Sequence, residues 1–423
     1  MRSVILHLDM DCYYAQCESK RLGLPSDVPL AVSQWGGLLA VNYAARSFGV
    51  RRGDRVEAAI QKCPQLRTPH VAVIGGRAGS GMNDPVPEGT SSSSDAIREL
   101  RRESKITLDF YRSESAHVFE ALASVATSAK IERASIDEAY IDITSLAASE
   151  LEEARQQGAA WFEDIGRRSF LGSGRRAAEA NRQERQTYRR RGHPLDVSRG
   201  GDQNGRDHGG PWVDDGGSGR VSGEGGAEGA EEAEEAAEEE EESEEAAAWR
   251  VDLSDPMDAM LLAGAAVCER LREAVLVETG HTVSGGIAHT KAVAKLASAR
   301  NKPDKQTVVP QRVVPLVMRA VPLCDLRGLG GKEGAAVAAA LPDVRTLGEL
   351  ACVPVERLVA LFGRERANWL SLSSRGEWEE PVKPVRQLES NGRPRVSWNR
   401  MGDPASAGIE WAAPRHRSLI LGW

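Results

Sequence analysis

Residues 4 to 14 read Val4-Ile5-Leu6-His7-Leu8-Asp9-Met10-Asp11-Cys12-Tyr13-Tyr14. Val4, Ile5, Leu6 and Leu8 make a short apolar run broken only at His7, the pattern of a strand buried on both faces. Read as a strand over 4–8, the run delivers Asp9 and Asp11 at its C-terminal end. His7 reads as a core histidine or a support for the acids, because nothing nearby completes a histidine metal site.

A buried strand needs sheet partners and covering layers, and the flanking sequence supplies both. A helix is expected over 14–20, then strands over 29–33 and 38–42 around the Gly36-Gly37 turn. Leu108, Tyr111, Val118, Leu122 and Val125 recur at helical spacing, which predicts a long amphipathic helix over 106–129. Residues 131–144 turn to strand composition, with a tight hairpin near 134–137 that carries Asp137 and Glu138. Farther on, a helix is expected over 256–278, a strand over 282–288 and a helix over 291–300 that stops before Asn301-Lys302-Pro303. Beyond Pro310 come short helices punctuated by Gly328, Gly330, Gly331 and Gly334, as far as Trp378.

At 423 residues the chain is long enough for two or three domains. The formal charge of -8 hides two regimes, since 13 glutamates and no lysine or arginine occur between Glu224 and Glu245. Without them the chain is net positive, which suits a polyanionic partner without proving one. Residues 150–248 are foreign to a packed core: Arg167, Arg168, Arg175, Arg176, Arg189, Arg190 and Arg191 lead into a Gly-rich and then a Glu-rich run. So little apolar surface cannot offset the entropy of ordering, and a disordered insertion is expected there. A Gly-, Ser- and Pro-rich surface loop is expected at about 75–97, and an irregular tail over 383–423.

The six cysteines are scattered, with no pair at zinc-ligand spacing, and read as the reduced thiols of an intracellular protein. The N-terminus lacks a signal-peptide core. No apolar stretch approaches the roughly 18 residues of a membrane span, so a soluble protein without a membrane partner is expected.

Three constellations carry chemistry. The acids Asp9, Asp137 and Glu138 offer the oxygen ligands that hard divalent cations prefer. Two such ions side by side can activate an attacking oxygen and hold a leaving phosphate. Acids are common at strand ends, however, and spacing alone does not separate the two readings. Tyr43, Arg46, Arg52 and the distant Lys302 form a cationic set able to neutralise a triphosphate, although each alone also fits a solvated surface position. Gly328, Gly330, Gly331 and Lys332 make a turn before an alanine-rich helix, where backbone N–H groups can meet a phosphate. A plain capped loop fits that turn equally well.

Taken in order, five blocks resemble the Y-family DNA polymerases: Leu8-Asp9-Met10-Asp11-Cys12-Tyr13-Tyr14, then 40–50 (AVNYAARSFGV), 131–140 (IERASIDEAY), 286–291 (GIAHTK) and Asn301-Lys302-Pro303. Residues 131–139, Gln34 before its glycine turn and Gly330-Gly331-Lys332 resemble the eta-type branch in particular. The resemblance implies an α+β fold, a right-hand polymerase with ferredoxin-like palm, small fingers and a helical thumb bearing a helix-hairpin-helix-like turn. It implies palm at 1–14, 100–149 and 249–307, fingers at 15–99 and thumb at 308–382. The family's little-finger domain, clamp-binding peptide and ubiquitin-binding zinc finger are not found in the sequence, so a truncated product with weak, salt-sensitive DNA binding is expected.

By the same resemblance, Asp9 and Asp137 bridge two Mg²⁺ ions (Mn²⁺ being an alternative), Glu138 completes the catalytic one and Met10 ligates the other. Asp11 stands behind them. Cys12, Tyr13, Tyr14, Tyr43, Arg46, Arg52 and Lys302 hold the nucleotide, with Tyr14 as the steric gate under the sugar. Gln34 and Arg52 touch the template and incoming bases, and Gly328 to Lys332 hold the DNA backbone. The implied substrates are primed DNA and deoxynucleoside triphosphates, including templates with ultraviolet pyrimidine dimers, and the implied location is the nucleus. A nucleic-acid-binding chain that does not turn over fits parts of the pattern. So does a nucleotide cyclase, though a cyclase needs no DNA-contacting glycine turn.

Overall fold

The opening apolar run becomes the third strand of a six-stranded sheet. In the computed structural model, which describes residues 2–74, 101–102, 104–171 and 251–384, the strands in chain order are β1 (Ile5–Met10), β2 (Ala31–Gln34), β3 (Gly37–Val41), β4 (Val73–Ile74), β5 (Lys105–Ile106), β6 (Lys130–Arg133), β7 (Glu138–Asp142), β8 (Phe170–Leu171), β9 (Val283–Ala288) and β10 (Gln306–Val308). The large sheet runs β6-β7-β1-β9-β10-β8. Its first four strands are antiparallel neighbours, whereas β10 pairs in parallel with β9 and β8. β2 with β3 and β4 with β5 form two small antiparallel ribbons. The protein is a mixed α+β chain, as the sequence predicts.

Alternate side chains of β1 face opposite layers. Leu6, Leu8 and Met10 enter a core shared with Ile141, Ile287 and the helices Asp109–Val125, Thr144–Gln157 and Pro256–Thr279. Glycines let the last of these helices lie close. A Cβ on Gly264 would stand 2.9 Å from Val4 Cγ1, and one on Gly285 2.3 Å from Cys268 Sγ. The helix is defined at its start by Asp255, whose side chain accepts from Met257 N, and by Pro256 in its first turn.

Ile5, His7 and Asp9 face the other way, under the helix Lys291–Arg300. The Thr290 side chain caps that helix by accepting from Val293 N. Gly286 makes the approach possible, because a Cβ there would meet Ala294 O at 2.0 Å and Ser298 N at 2.3 Å. Ile5, Tyr140 and Ala288 join Val293, Ala294 and Ala297 in a second core that continues into the short helices Val314–Arg319, Lys332–Ala340, Leu347–Ala351, Val355–Phe362 and Arg364–Ser374. A third, smaller core gathers Leu38, Val41, Ala45, Val50, Val56 and Leu66 around the β2–β3 ribbon.

Several boundaries differ from expectation. β1 runs to Met10 rather than ending at Leu8, because β7 and β9 both continue to pair with it, so Asp9 lies inside the strand. The long helix spans Asp109–Val125, shorter than 106–129. The largest correction concerns the insertion expected from 150: Thr144–Gln157 and Ala159–Arg168 are helices, and β8 follows them onto the sheet. Ala147, Leu151, Ala154 and Ile165 are buried there. That narrow apolar stripe is diluted in the sequence by Glu150, Glu152, Glu153 and Arg155. The rest of the expected insertion, the loop at 75–97 and nearly all of the tail lie outside the described residues. Residues 1–383 form one unit, and 384–423 form a second of which only Pro384 is described. Among the described residues no helix is long and apolar enough to cross a membrane.

Candidate active site

Asp9 is in register with Glu138 on β7 and with Ser284 on β9. Directly paired residues share a sheet face, so the Asp9 and Glu138 carboxylates emerge side by side, one step along the sheet from the His7–Tyr140 pair. The turn before β7 sets Asp137. Ala134 N and Ser135 N both donate to Glu138 O, at 2.9 and 3.2 Å. The Ser135 hydroxyl donates to Asp137 Oδ1 at 2.5 Å and accepts from Asp137 N at 3.1 Å. Met10 N donates to Asp137 O at 2.9 Å, which ties the end of β1 to the turn.

Two lysines neutralise this face. Lys302 Nζ lies 2.8 Å from Asp9 Oδ1 and 3.4 Å from Asp9 O. Lys295 Nζ lies 2.5 Å from Glu138 Oε1. Burial pushes the Asp9 carboxyl above its ordinary range, and Lys302 offsets only part of the rise. Glu138 is held below its ordinary range by His7 and Lys295. His7 Nε2 is 3.9 Å from Glu138 Oε2, too far for a hydrogen bond, so we ascribe most of this effect to Lys295.

His7 is fully buried, donates from Nδ1 to Ser298 Oγ at 2.7 Å and stacks 4.6 Å from the Tyr140 ring. The donor assignment follows from the Ser298 hydroxyl, whose hydrogen goes to Lys295 O at 2.8 Å. Asp11, only 1% exposed, accepts from Ser284 Oγ at 2.7 Å and from Asp304 N at 2.8 Å. One oxygen thus holds the turn that returns Lys302 to Asp9, and the other anchors Asp11 to β9.

Around the acids stand the residues singled out by motif. Cys12 takes a left-handed conformation at φ 39° before the helix Tyr13–Leu22, and burial pushes its thiol up to about 12. Tyr13 is buried with its hydroxyl donating to Tyr111 O. The Tyr14 ring meets the Tyr111 ring edge-on at 4.4 Å, and burial followed by the Asp137 charge raises its hydroxyl's pKa. Tyr43 opens a one-turn helix capped by Asn42; burial, and next the Asp11 charge, raise its hydroxyl too. The Arg46 guanidinium stands 4.7 Å over the Tyr43 ring and donates to Val41 O at 3.0 Å.

Gln34 ends β2 and Arg52 is exposed, each held by the β2–β3 ribbon and its loop rather than by the acids. Gly328, at φ 97°, packs where a Cβ would meet the Trp369 ring at 3.3 Å, and Gly331 precedes the helix that starts at Lys332. Gly328 and Gly330 line a cleft of about 430 Å³ together with Glu138 and Lys295.

Sequence reasoning missed Lys295 and Tyr111 as parts of this site. Lys295 had one usable signal, its place one turn after Lys291 on a helix required to cover a sheet face that holds acids. Tyr111 was read only as a core position.

The carboxylate oxygens of Asp9 and Glu138, paired across β1 and β7, suit hard divalent cations, and the unpartnered His7 Nε2 lies on the same face 3.9 Å from Glu138 Oε2. Among the described residues no three acid, histidine or cysteine side chains are already gathered as an ion cage. Asp9 and Glu138 instead each face an ammonium group, so they are arranged to receive positive charge.

The chain is similar to DNA polymerase eta of Arabidopsis thaliana, at 31% identity over 92% of this chain and 45% of that protein. It is 29% identical to DNA polymerase eta of Drosophila melanogaster over 90% of this chain and 35% of that one. A DNA polymerase IV of Stenotrophomonas maltophilia is 33% identical over 33% of this chain. The chain thus spans less than half the length of the two eta relatives. The eta-type resemblance holds over most of the sequence, and the polymerase IV similarity over a third. The impB/mucB/samB family matches residues 8–299, a range that includes every acid of the site and Lys295 and stops just before Lys302. The chain belongs to the impB/mucB/samB family, the Y-family to which its five sequence blocks point.

Proposed function

We propose that the chain is a template-directed DNA polymerase that extends a primer 3′-OH with deoxynucleotides by translesion synthesis, including past ultraviolet pyrimidine dimers. One observation carries this reading: Asp9 and Glu138 lie in register beside Asp137, with Lys302 returned onto Asp9 by Asp11. The similarity to enzymes named DNA polymerase eta supports it. In this reading the large sheet and its helices are the palm, the β2–β3 region the fingers and residues 308–382 the thumb. Primed DNA and deoxynucleoside triphosphates are the substrates, and the nucleus is the expected site of action.

Asp9, Asp137, Glu138 and the Met10 carbonyl would hold two Mg²⁺ ions, with Mn²⁺ able to replace them. Bound there, such ions lower the pKa of the attacking hydroxyl and neutralise the departing diphosphate. The remaining work falls to the protein. Lys302, Arg46 and Tyr43 bind triphosphate oxygens, which requires the Lys302 ammonium to exchange Asp9 for a phosphate. Cys12 and Tyr13 hold the turn below the nucleotide. The Tyr14 ring, backed by Tyr111, occupies the space that a 2′-OH would need. Half-buried Gln34 at the end of β2 and the exposed Arg52 meet the bases of the template and the incoming nucleotide. Gly328, Gly330, Gly331 and Lys332 contact the DNA backbone without reading sequence.

Primer extension opposite a thymine dimer and opposite undamaged thymines tests this reading. Insertion at the dimer within about tenfold of the undamaged rate is expected, one decade being about 1.4 kcal/mol. Extension that always stops one nucleotide before the dimer would contradict the translesion assignment.

A further inference from the structure

Lys291 is a buried cation that the proposed chemistry does not use. It opens the helix Lys291–Arg300, and its side chain is 3% exposed. A buried ammonium is tolerated only when anions surround it, and two do. Glu132 Oε2 lies at 2.5 Å and Glu380 Oε1 at 3.3 Å, while the Tyr140 ring lies 5.1 Å away.

Both anions are shared. Glu132, on edge strand β6, also accepts from Lys383 N at 2.7 Å. Glu380, in the segment that follows the last helix, also pairs with Arg327 Nη1 at 3.3 Å. Arg327 immediately precedes Gly328, and its guanidinium stands 5.7 Å from the same Tyr140 ring. The contacts therefore run without a break from Glu132 through Lys291 and Glu380 to Arg327. One end is the β6–β7 hairpin that carries Asp137 and Glu138, and the other is the glycine turn.

Residues from both ends, Glu132, Glu138 and Tyr140 together with Arg327 and Gly328, line one cleft of about 430 Å³. A cleft that must admit a ligand cannot be held at its width by apolar packing across it. An ionic strut at one side can do so while leaving the opening clear. We propose that Lys291 and Glu380 are positioning residues, an ionic joint that holds the glycine turn at a fixed distance from Glu138. The inference rests on the polymerase reading, in which the primer strand lies between the turn and the acids. It adds that primer placement depends on a joint touching neither nucleotide nor acid.

Steady-state primer extension with Glu380→Gln, Lys291→Met and Lys291→Arg tests it, alongside thermal melting of each variant. Glu380→Gln leaves the buried Lys291–Glu132 pair intact and keeps the test open even if Lys291→Met melts early. The expected result is a KM for primed template raised about fivefold in Glu380→Gln, the upper end for one partly screened charge contact. The KM for deoxynucleotide should stay within about twofold, a change too small to signal a lost phosphate contact, and Lys291→Arg should recover most of the template affinity. An unchanged template KM in Glu380→Gln, with the unsubstituted chain active, would overturn the joint and leave the polymerase reading standing. Equal losses for template and nucleotide would also overturn it, as the mark of general collapse. An unsubstituted chain that extends no primer would overturn the polymerase reading and the joint with it.

Discussion

Lys302 is far from Asp9 in sequence and 2.8 Å from it in space, held there by an aspartate whose oxygens are both engaged. In the polymerase reading that ammonium belongs to the incoming triphosphate. Lys302→Ala should therefore raise the deoxynucleotide KM by about tenfold or more while sparing the KM for primed template, since one charge-assisted contact contributes about 1.5–3 kcal/mol; steady-state kinetics checks both constants. Glu114 makes a separate, pH-dependent prediction. Burial would push its carboxyl up, but Lys20 at 2.7 Å and His281 at 3.1 Å together hold it below its ordinary 4.5. A carboxyl depressed by folding stabilises above its unfolded pKa, and the contribution is lost as pH falls through the folded value. Glu114→Gln should thus cost about 1 kcal/mol at neutral pH, the charged hydrogen bonds being partly screened at the half-exposed Lys20. In urea unfolding the gap between the two proteins should close as pH drops below 4.5.

At the scale of elements, the helix Lys291–Arg300 decides the site, because it brings Lys291, Lys295 and the turn bearing Lys302 onto the sheet. Its close approach depends on Gly286. A Cβ there would stand 2.0 Å from Ala294 O, a backbone atom that cannot move aside alone. Gly286→Ala should destabilise by about 3 kcal/mol or more, at or beyond the upper end for overpacking, whereas Gly331→Ala, with open space around it, should leave the melting temperature unchanged. Element order was largely legible, since the apolar runs at β1 and β9 and the helix over 291–300 have unmistakable periods. The region over 144–171 was not. Its buried face is one stripe of Ala147, Leu151, Ala154 and Ile165 among many charges, and composition outweighs a stripe that narrow. Nor could pattern alone give the pairing of β1 with β7 and β9, which places Asp9 opposite Glu138. The acids, Tyr43, Arg46 and Lys302 were legible as motif; Lys295 was not, because a helix lysine reads as solvated until its sheet face is known.

At the scale of the whole molecule, the two large cores lie on opposite faces of one sheet, and Asp9 and Glu138 emerge on the face covered by the helix Lys291–Arg300. In the polymerase reading the site holds nucleic acid mainly through backbone phosphates, so binding should weaken steeply with salt. Fluorescence anisotropy of a labelled primer–template should show at least about a tenfold loss of affinity between 50 and 200 mM salt if only a few phosphates are contacted. The central claim is that Asp9, Asp137 and Glu138 act on nucleotides as one metal-dependent unit. Single-nucleotide incorporation onto a primed template in Mg²⁺ tests it most directly, comparing the unsubstituted chain with Asp137→Ala and Glu138→Gln. A loss of about 10²–10³-fold or more in each variant is predicted, the scale seen when a transition-state charge partner is removed. Incorporation at the unsubstituted rate in either variant would contradict it.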